Sequence, residues 1–160
     1  MWEIIPIVNE NDKIICYKDV SELDTWDIKR ISCIRIENSI WEVLIAKRSY
    51  NMKRLPWKWW PAATWCVEKD ESYEDAMIRE AKEELWIDIK NYKKGTKIRY
   101  GLTFIQNFKS IMDININELK LQKEEVDSVK WINKNELYKL CKWDSDEFVP
   151  QLRLFIDDYM

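Results

Sequence analysis

The spacing that could do chemistry in this chain lies in "REAKEELW", where Glu80, Glu83 and Glu84 follow Arg79. On a helix turning about 100° per residue, these three carboxylates share one face. Like charges at such spacing repel, and Lys82 stands on the wrong side to offset all three. One reading is a solvated acidic face balanced by neighbouring lysines. The other is a set of oxygen ligands for a hard divalent cation. Helix spacing alone does not choose between them. Histidine is absent from the sequence, which removes Ser-His and Cys-His catalysis and leaves carboxylates, Lys, Tyr or a metal to do any chemistry. Cys16, Cys33, Cys66 and Cys141 are scattered without a C-x-x-C pair. They read as reduced thiols, not a zinc site.

The residues around the acidic face narrow the choice. From Trp65, five residues lead to Glu71 and seven more lead to Arg79-Glu80-Ala81-Lys82-Glu83-Glu84-Leu85-Trp86-Ile87. This run, residues 65–87, resembles the Nudix box, G-x5-E-x7-R-E-U-x-E-E-x-G-U with U aliphatic. Glu71, Arg79, Glu80, Glu83, Glu84 and Ile87 match, and Ala81 is an acceptable small apolar residue. The departures are the two glycines, replaced by Trp65 and Trp86. Outside the box, "EVLIAKRS", "LPWKWWPAATWCVE" and "VKWINKNEL" resemble the strand before it, its entrance and a late strand-to-helix segment. The opening "PIVNENDKIICYKDVSELD" is similar to the branch that includes isopentenyl-diphosphate isomerase and its hydrolase-like relatives.

The resemblance implies an α/β fold, the Nudix α/β/α sandwich with a mixed β-sheet. It implies hydrolysis of a nucleoside diphosphate linked to another moiety, or of a related organic diphosphate, with Mg²⁺ or alternatively Mn²⁺. Carried over by position, Glu80, Glu83 and Glu84 are the catalytic metal ligands, joined by the backbone carbonyl of Trp65. Glu71 and Arg79 become a salt bridge bracing the loop against the helix. The general base is Glu80 or a late acid, Glu124 or Glu125. Arg48, Lys47 and Lys58 lie where phosphate contacts could form. Trp59, Trp60 and Tyr50 could stack on a base or simply pack. Two alternatives stand beside hydrolysis. An isomerase would need a Cys at the position held by Thr64 (Cys66 falls two residues too late) and a His that the chain lacks. A Nudix fold kept as a binding module would follow if the two tryptophans spoil the metal site.

The elements that must position these groups are legible in outline. Residues 3–8 and 13–18 read as strands around "NEND", followed by strands 29–37 and 42–48. A polar, Trp-rich loop runs from Ser49 to about Trp60, and "PAATWCV" leads to the charged helix. Ser72 caps that helix with Asp75 three residues on, and Glu74 and Asp75 complement its dipole. Ile78, Ala81 and Leu85 form its expected packing face. Ile87 and Ile89 are expected to resume a strand, with further strands over 96–108, 110–116 and 126–132. "NKNELYKLC" reads as a helix capped by Asn133. Pro150 suits the start of a terminal helix packing through Leu152, Leu154, Phe155 and Tyr159.

A length of 160 residues suits one domain, 1–160. A net charge of -3 disfavours a nucleic-acid polymer as partner. The opening "MWEIIPIVNENDK" lacks a signal peptide's basic lead, and no stretch is long enough to span a membrane. The expected setting is therefore the cytoplasm and the expected partner a small diphosphate, with a homodimer left open. One oddity cuts across all of this: two glycines against ten tryptophans. Trp41, Trp57 and Trp143, like Trp65 and Trp86, fall at apparent turns, whereas Trp131 reads as a genuine strand residue. A gene that reads UGA as glycine, translated with UGA as Trp, would produce this pattern.

Overall fold

The computed structural model describes residues 3–143, 146–149 and 152. In chain order the strands before the first long helix are β1 (Ile4–Val8), β2 (Ile14–Asp19), β3 (Ile28–Glu37), β4 (Glu42–Arg48), β5 (Trp59–Pro61) and β6 (Ala63–Cys66). Helix α1 (Tyr73–Leu85) follows, then β7 (Lys93–Tyr100), β8 (Thr103–Ile111), β9 (Val126–Asn133) and helix α2 (Lys134–Trp143).

Strand β3 organises the sheet. It pairs in parallel with β8 from Lys29↔Thr103 to Glu37↔Ile111 and antiparallel with β6 from Ile31↔Cys66 to Ile34↔Ala63. Strand β4 pairs antiparallel with β9 and β5, so the sheet is mixed. Successive side chains of a strand point to opposite faces, and the two cores follow that rule. Ile34, Ile36, Leu44 and Ala46 pack with Ala76, Met77, Ala81 and Leu85 of α1. Cys33, Val43, Ile45 and Ile105 pack with Leu137 and Cys141 of α2. Helices thus cover both faces of the sheet, an α/β/α sandwich.

Helix α1 starts as the sequence predicts. The Ser72 hydroxyl accepts from the Asp75 amide at 3.1 Å, and the Asp75 carboxylate accepts from the Ser72 amide at 3.0 Å. The packing face differs from expectation: Ile78 is 38% exposed, and Tyr73, Ala76 and Met77 join Ala81 and Leu85 in the core. The helix is therefore rotated toward its N-terminal aromatic, which lies over the end of the first hairpin, with the Tyr73 hydroxyl 3.2 Å from Asp12.

Other boundaries also move. Gly101, at φ 56°, turns the chain between β7 and β8, so 96–108 is two strands and not one. Residues 112–116 are not strand, and Ile87 and Ile89 are buried in a connecting segment. The "PAATWCV" segment and the end of the Trp-rich loop form β6 and β5, short strands without an alternating pattern to announce them. Helix α2 runs on to Trp143. The expected terminal helix lies outside the described residues except for Leu152, which is buried.

Two substitutions test this account of α1. Ser72→Ala removes the cap and should lower stability by about 0.5–2 kcal/mol. Ile78→Lys should change it by no more than about 0.5 kcal/mol, because the side chain is exposed. Chemical denaturation of each variant checks both, and a large loss in Ile78→Lys would contradict the packing face.

Candidate active site

The capped start of α1 fixes the direction in which its later side chains point. Arg79 turns back to the preceding loop and grips Glu71 with two contacts, Nε to Oε1 at 2.6 Å and Nη2 to Oε2 at 3.0 Å. Its other terminal nitrogen reaches Glu80 at 2.5 Å and Glu83 at 3.3 Å. Glu71 also accepts from the Glu68 amide at 3.0 Å, and the next amide, Lys69, donates to the Ile4 carbonyl at 2.8 Å. A bidentate Arg–carboxylate pair carries geometric specificity as well as charge. Here it ties the loop, the helix and the β1 edge together.

Glu80 and Glu83 look into a cleft of about 530 Å³ that Trp65, Gln122 and Glu125 also line. Glu84, buried, lies beside a much smaller space of about 20 Å³ between Arg48, Trp60, Trp65 and Glu125. The segment carrying Glu125 is docked by its backbone. The Gln122 amide donates to the Glu84 carbonyl at 3.0 Å, and the Ser49 amide donates to the Glu125 carbonyl at 2.7 Å. The structure therefore sets Glu80 and Glu83 on the cleft and Glu84 on the smaller space, with Trp65 and Glu125 lining both. Glu124 is exposed and lines neither space.

Burial and like charge set the protonation of this group. Burial, more than its neighbours, pushes the Glu80 carboxyl up to about 8, against the pull of Arg79. Glu84 is pushed up to about 10 by burial and then by Glu125 next to it. Glu71 goes the other way: burial opposes its charge, but Arg79 and the Glu68 amide outweigh it and hold the carboxyl below its usual range. Arg79 rises in turn, chiefly through its bond to Glu71. Burial lowers Arg48, with Glu84 and Glu125 opposing that fall, while its guanidinium lies 4.3 Å from the Trp60 ring centroid.

Among the described residues, no three acidic or thiol groups converge into a ready-made ligand cage. The donor set nonetheless suits a hard cation. It is made of carboxylates, the oxygen ligands such a cation takes.

The basic and aromatic candidates separate. Arg48 lines the site, Lys47 reaches its margin, and Lys58 lies with Trp57 and Trp59 along a neighbouring groove. Tyr50 is 70% exposed, its ring centroid 6.0 Å from that of Trp57. Thr64, where an isomerase would need Cys, donates its hydroxyl to the Cys33 sulfur at 3.3 Å. Burial pushes the Cys33 thiol up to about 11 and raises Cys66 as well, so neither is primed as a nucleophile. Glu3, Glu68 and Gln122 line the larger cleft without having stood out in the sequence. Glu3 arrives through the pairing of Lys69 with Ile4, a contact with no local signature.

Trp65 does not fall at a turn, as its sequence context suggests; it is a strand residue in β6, paired with Ser32, and its φ is not positive. Trp86 is left-handed, at φ 58° and ψ 35°, where its amide and that of Ile87 close α1 on the Lys82 and Ala81 carbonyls, each at 3.0 Å.

Comparison with known proteins bears on the family and the fold. The NUDIX domain family model matches residues 28–152. An uncharacterized Nudix hydrolase of Listeria monocytogenes is 28% identical over 155 residues, covering 93% of this chain and 88% of its own. A second, from Listeria innocua, is 28% identical over 153 residues with the same coverage. In fold, the chain is similar to a crystal structure of a Deinococcus radiodurans protein, with a TM-score of 0.86, 18% identity and 98% coverage of both chains. It is also similar to a MutT protein of Methanosarcina mazei, with a TM-score of 0.66, 18% identity and coverage of 82% of this chain and 92% of that one. With the family model spanning most of its length, the chain belongs to the Nudix hydrolase family.

Proposed function

We propose that this protein is a divalent-cation-dependent hydrolase that cleaves the diphosphate bond of a nucleoside diphosphate derivative or a related organic diphosphate. The observation that carries this reading is the adjacency of Glu80 and Glu83, on the larger cleft, to Glu84 and Arg48, in the smaller space, with Trp65 and Glu125 lining both. Glu80, Glu83 and Glu84, with the Trp65 carbonyl, would hold Mg²⁺ or Mn²⁺. Bound there, the cation neutralises phosphoryl oxygens and makes a bound water more acidic.

The chain's own groups do the rest. Arg48 offers a planar set of donors to the diphosphate oxygens. Glu80 or Glu125 accepts the proton of the attacking water, which adds to phosphorus as the bond to the leaving phosphate breaks. Glu71 and Arg79 stay paired and act as a brace, holding the loop and helix in register. The substrate in this reading is a small molecule, not a nucleic-acid polymer or a membrane. The indole of Trp65 at the cleft favours a second reading, a Nudix fold that binds without turnover.

Measured as Mg²⁺-dependent phosphate release from a panel of organic diphosphates, Glu83→Gln should abolish most hydrolysis. Loss of the general base should lower kcat by about 10²–10⁴-fold. The comparison of Glu80→Gln with Glu125→Gln identifies that base. Unchanged hydrolysis in Glu83→Gln would reject the metal site, and isomerisation of isopentenyl diphosphate without phosphate release would reject hydrolysis.

Stability should also depend on pH. Glu80 and Glu84 have folded-state values raised to about 8 and about 10, so the folded chain retains protons that the unfolded chain releases above about 4.5. Their contribution is fully present below that value and is lost as pH rises through about 8 and about 10. The metal-free protein should therefore melt at a lower temperature near pH 9 than near pH 6, and Glu84→Gln should flatten the slope. A slope of the opposite sign in thermal unfolding would contradict the buried acidic pair.

A further inference from the structure

We infer that the functional form of this protein carries glycine, not tryptophan, at positions 41, 57, 65 and 86, its gene using UGA as a glycine codon. Six non-glycine residues among those described have positive φ, and three of them are Trp41 (66°), Trp57 (63°) and Trp86 (58°). Two of the others are Asp12 and Asp70, a residue type that tolerates this region, and the last is Leu55. A bulky residue there is strained, while glycine adopts the conformation freely. The strain is not offset by burial: the three tryptophans are 65%, 44% and 56% exposed. Their indoles lie against lysine tails: Lys134 at 5.3 Å from Trp41, Lys47 at 4.8 Å from Trp57 and Lys120 at 4.5 Å from Trp86.

Other tryptophans behave differently. Trp131 lies in β9, packs on the core beneath α1 and donates its indole N–H to the Ile114 carbonyl at 3.3 Å. Trp59 pairs with β4 and packs on the second core. Trp59 and Trp131 are thus seated as indoles, whereas Trp41, Trp57 and Trp86 stand where the backbone favours glycine. Composition points the same way. Ordinary glycine usage of about 7% predicts on the order of eleven glycines in a chain this long, whereas this one has two, beside ten tryptophans.

Position 65 has a separate basis, because its backbone is extended. Trp65 lines the space it shares with Arg48, Glu84 and Glu125, where about 20 Å³ remains. Neighbouring Trp60 buries its own indole N–H there without a hydrogen-bond partner. Glycine at 65 would open this space beside the box carboxylates and leave the β6 backbone free to approach a bound group. This part of the inference rests on the proposed hydrolase reading; the other three positions do not.

The test joins peptide mass spectrometry of the protein from its native cells with purified variants. The peptides should carry glycine at all four positions, encoded by UGA; tryptophan in them, or UGG codons, would overturn the inference. The triple variant W41G/W57G/W86G should raise the folded-to-unfolded ratio by about tenfold or more over the chain as written. An unchanged or lowered ratio would overturn the backbone basis. Adding W65G should increase Mg²⁺-dependent hydrolysis. If the peptides read glycine and the triple variant is stabilised, but no diphosphate is cleaved, the glycine assignment stands and the hydrolase reading falls.

Discussion

Carboxylates crowded onto one face of a half-buried helix repel one another, and much of the surrounding structure can be read as a response to that repulsion. Arg79 meets it from below, dividing its three nitrogens among Glu71, Glu80 and Glu83. At Glu84 burial and the neighbouring Glu125 push the carboxyl upward instead, favouring its neutral form. Neither device removes the tension completely. A cation entering the cleft would relieve it, which is why a site of this kind is coupled to the stability of the domain that holds it.

The bracing by Arg79 also explains why the site does not depend on α1 alone. Its partner Glu71 belongs to a loop whose own amides are tied to the first strand, and Glu125 comes from a turn stitched to the end of the same helix. Two separated parts of the chain are thus tied to α1, the Glu71 loop through the Arg79 side chain and the Glu125 turn through the backbone bond from Gln122 to Glu84. Side chains approaching from those parts therefore have defined positions, as a reaction at phosphorus requires.

What could be read in the sequence was whatever a local pattern encodes. The cap at Ser72, the acidic face and the Glu71–Arg79 spacing lie within a few helical turns, and the structure shows each. The strands β3 and β4 announce themselves through β-branched runs. The features that were not legible depend on distant partners. Ile78 fits a helical stripe as well as Met77 does, and only the sheet decides which one is covered. Strand β6 is four residues long, Ala63–Cys66, and is held extended by its pairing with β3, a partner no local pattern announces. Glu3 joins the cleft, and Glu124 stays out of it, through loop docking that no motif records. Trp65 looked like a hinge because its motif position belongs to glycine, yet its backbone is that of an ordinary strand.

The parallel pairing of β3 with β8 has a consequence for how this molecule comes into being. Lys29 must find Thr103, and everything from β4 to β7, including the whole acidic helix, is threaded between them. Contacts this distant along the chain are slow to form, because loop-closure entropy is lost before any contact is gained. During synthesis the carboxylate helix therefore leaves the ribosome before the strand that completes its sheet. In that interval the capping box at Ser72 and the grip of Arg79 on Glu71 are interactions α1 can form without waiting for β8. Local design at the start of this helix thus guards its acidic face through the period when the protein is still half made.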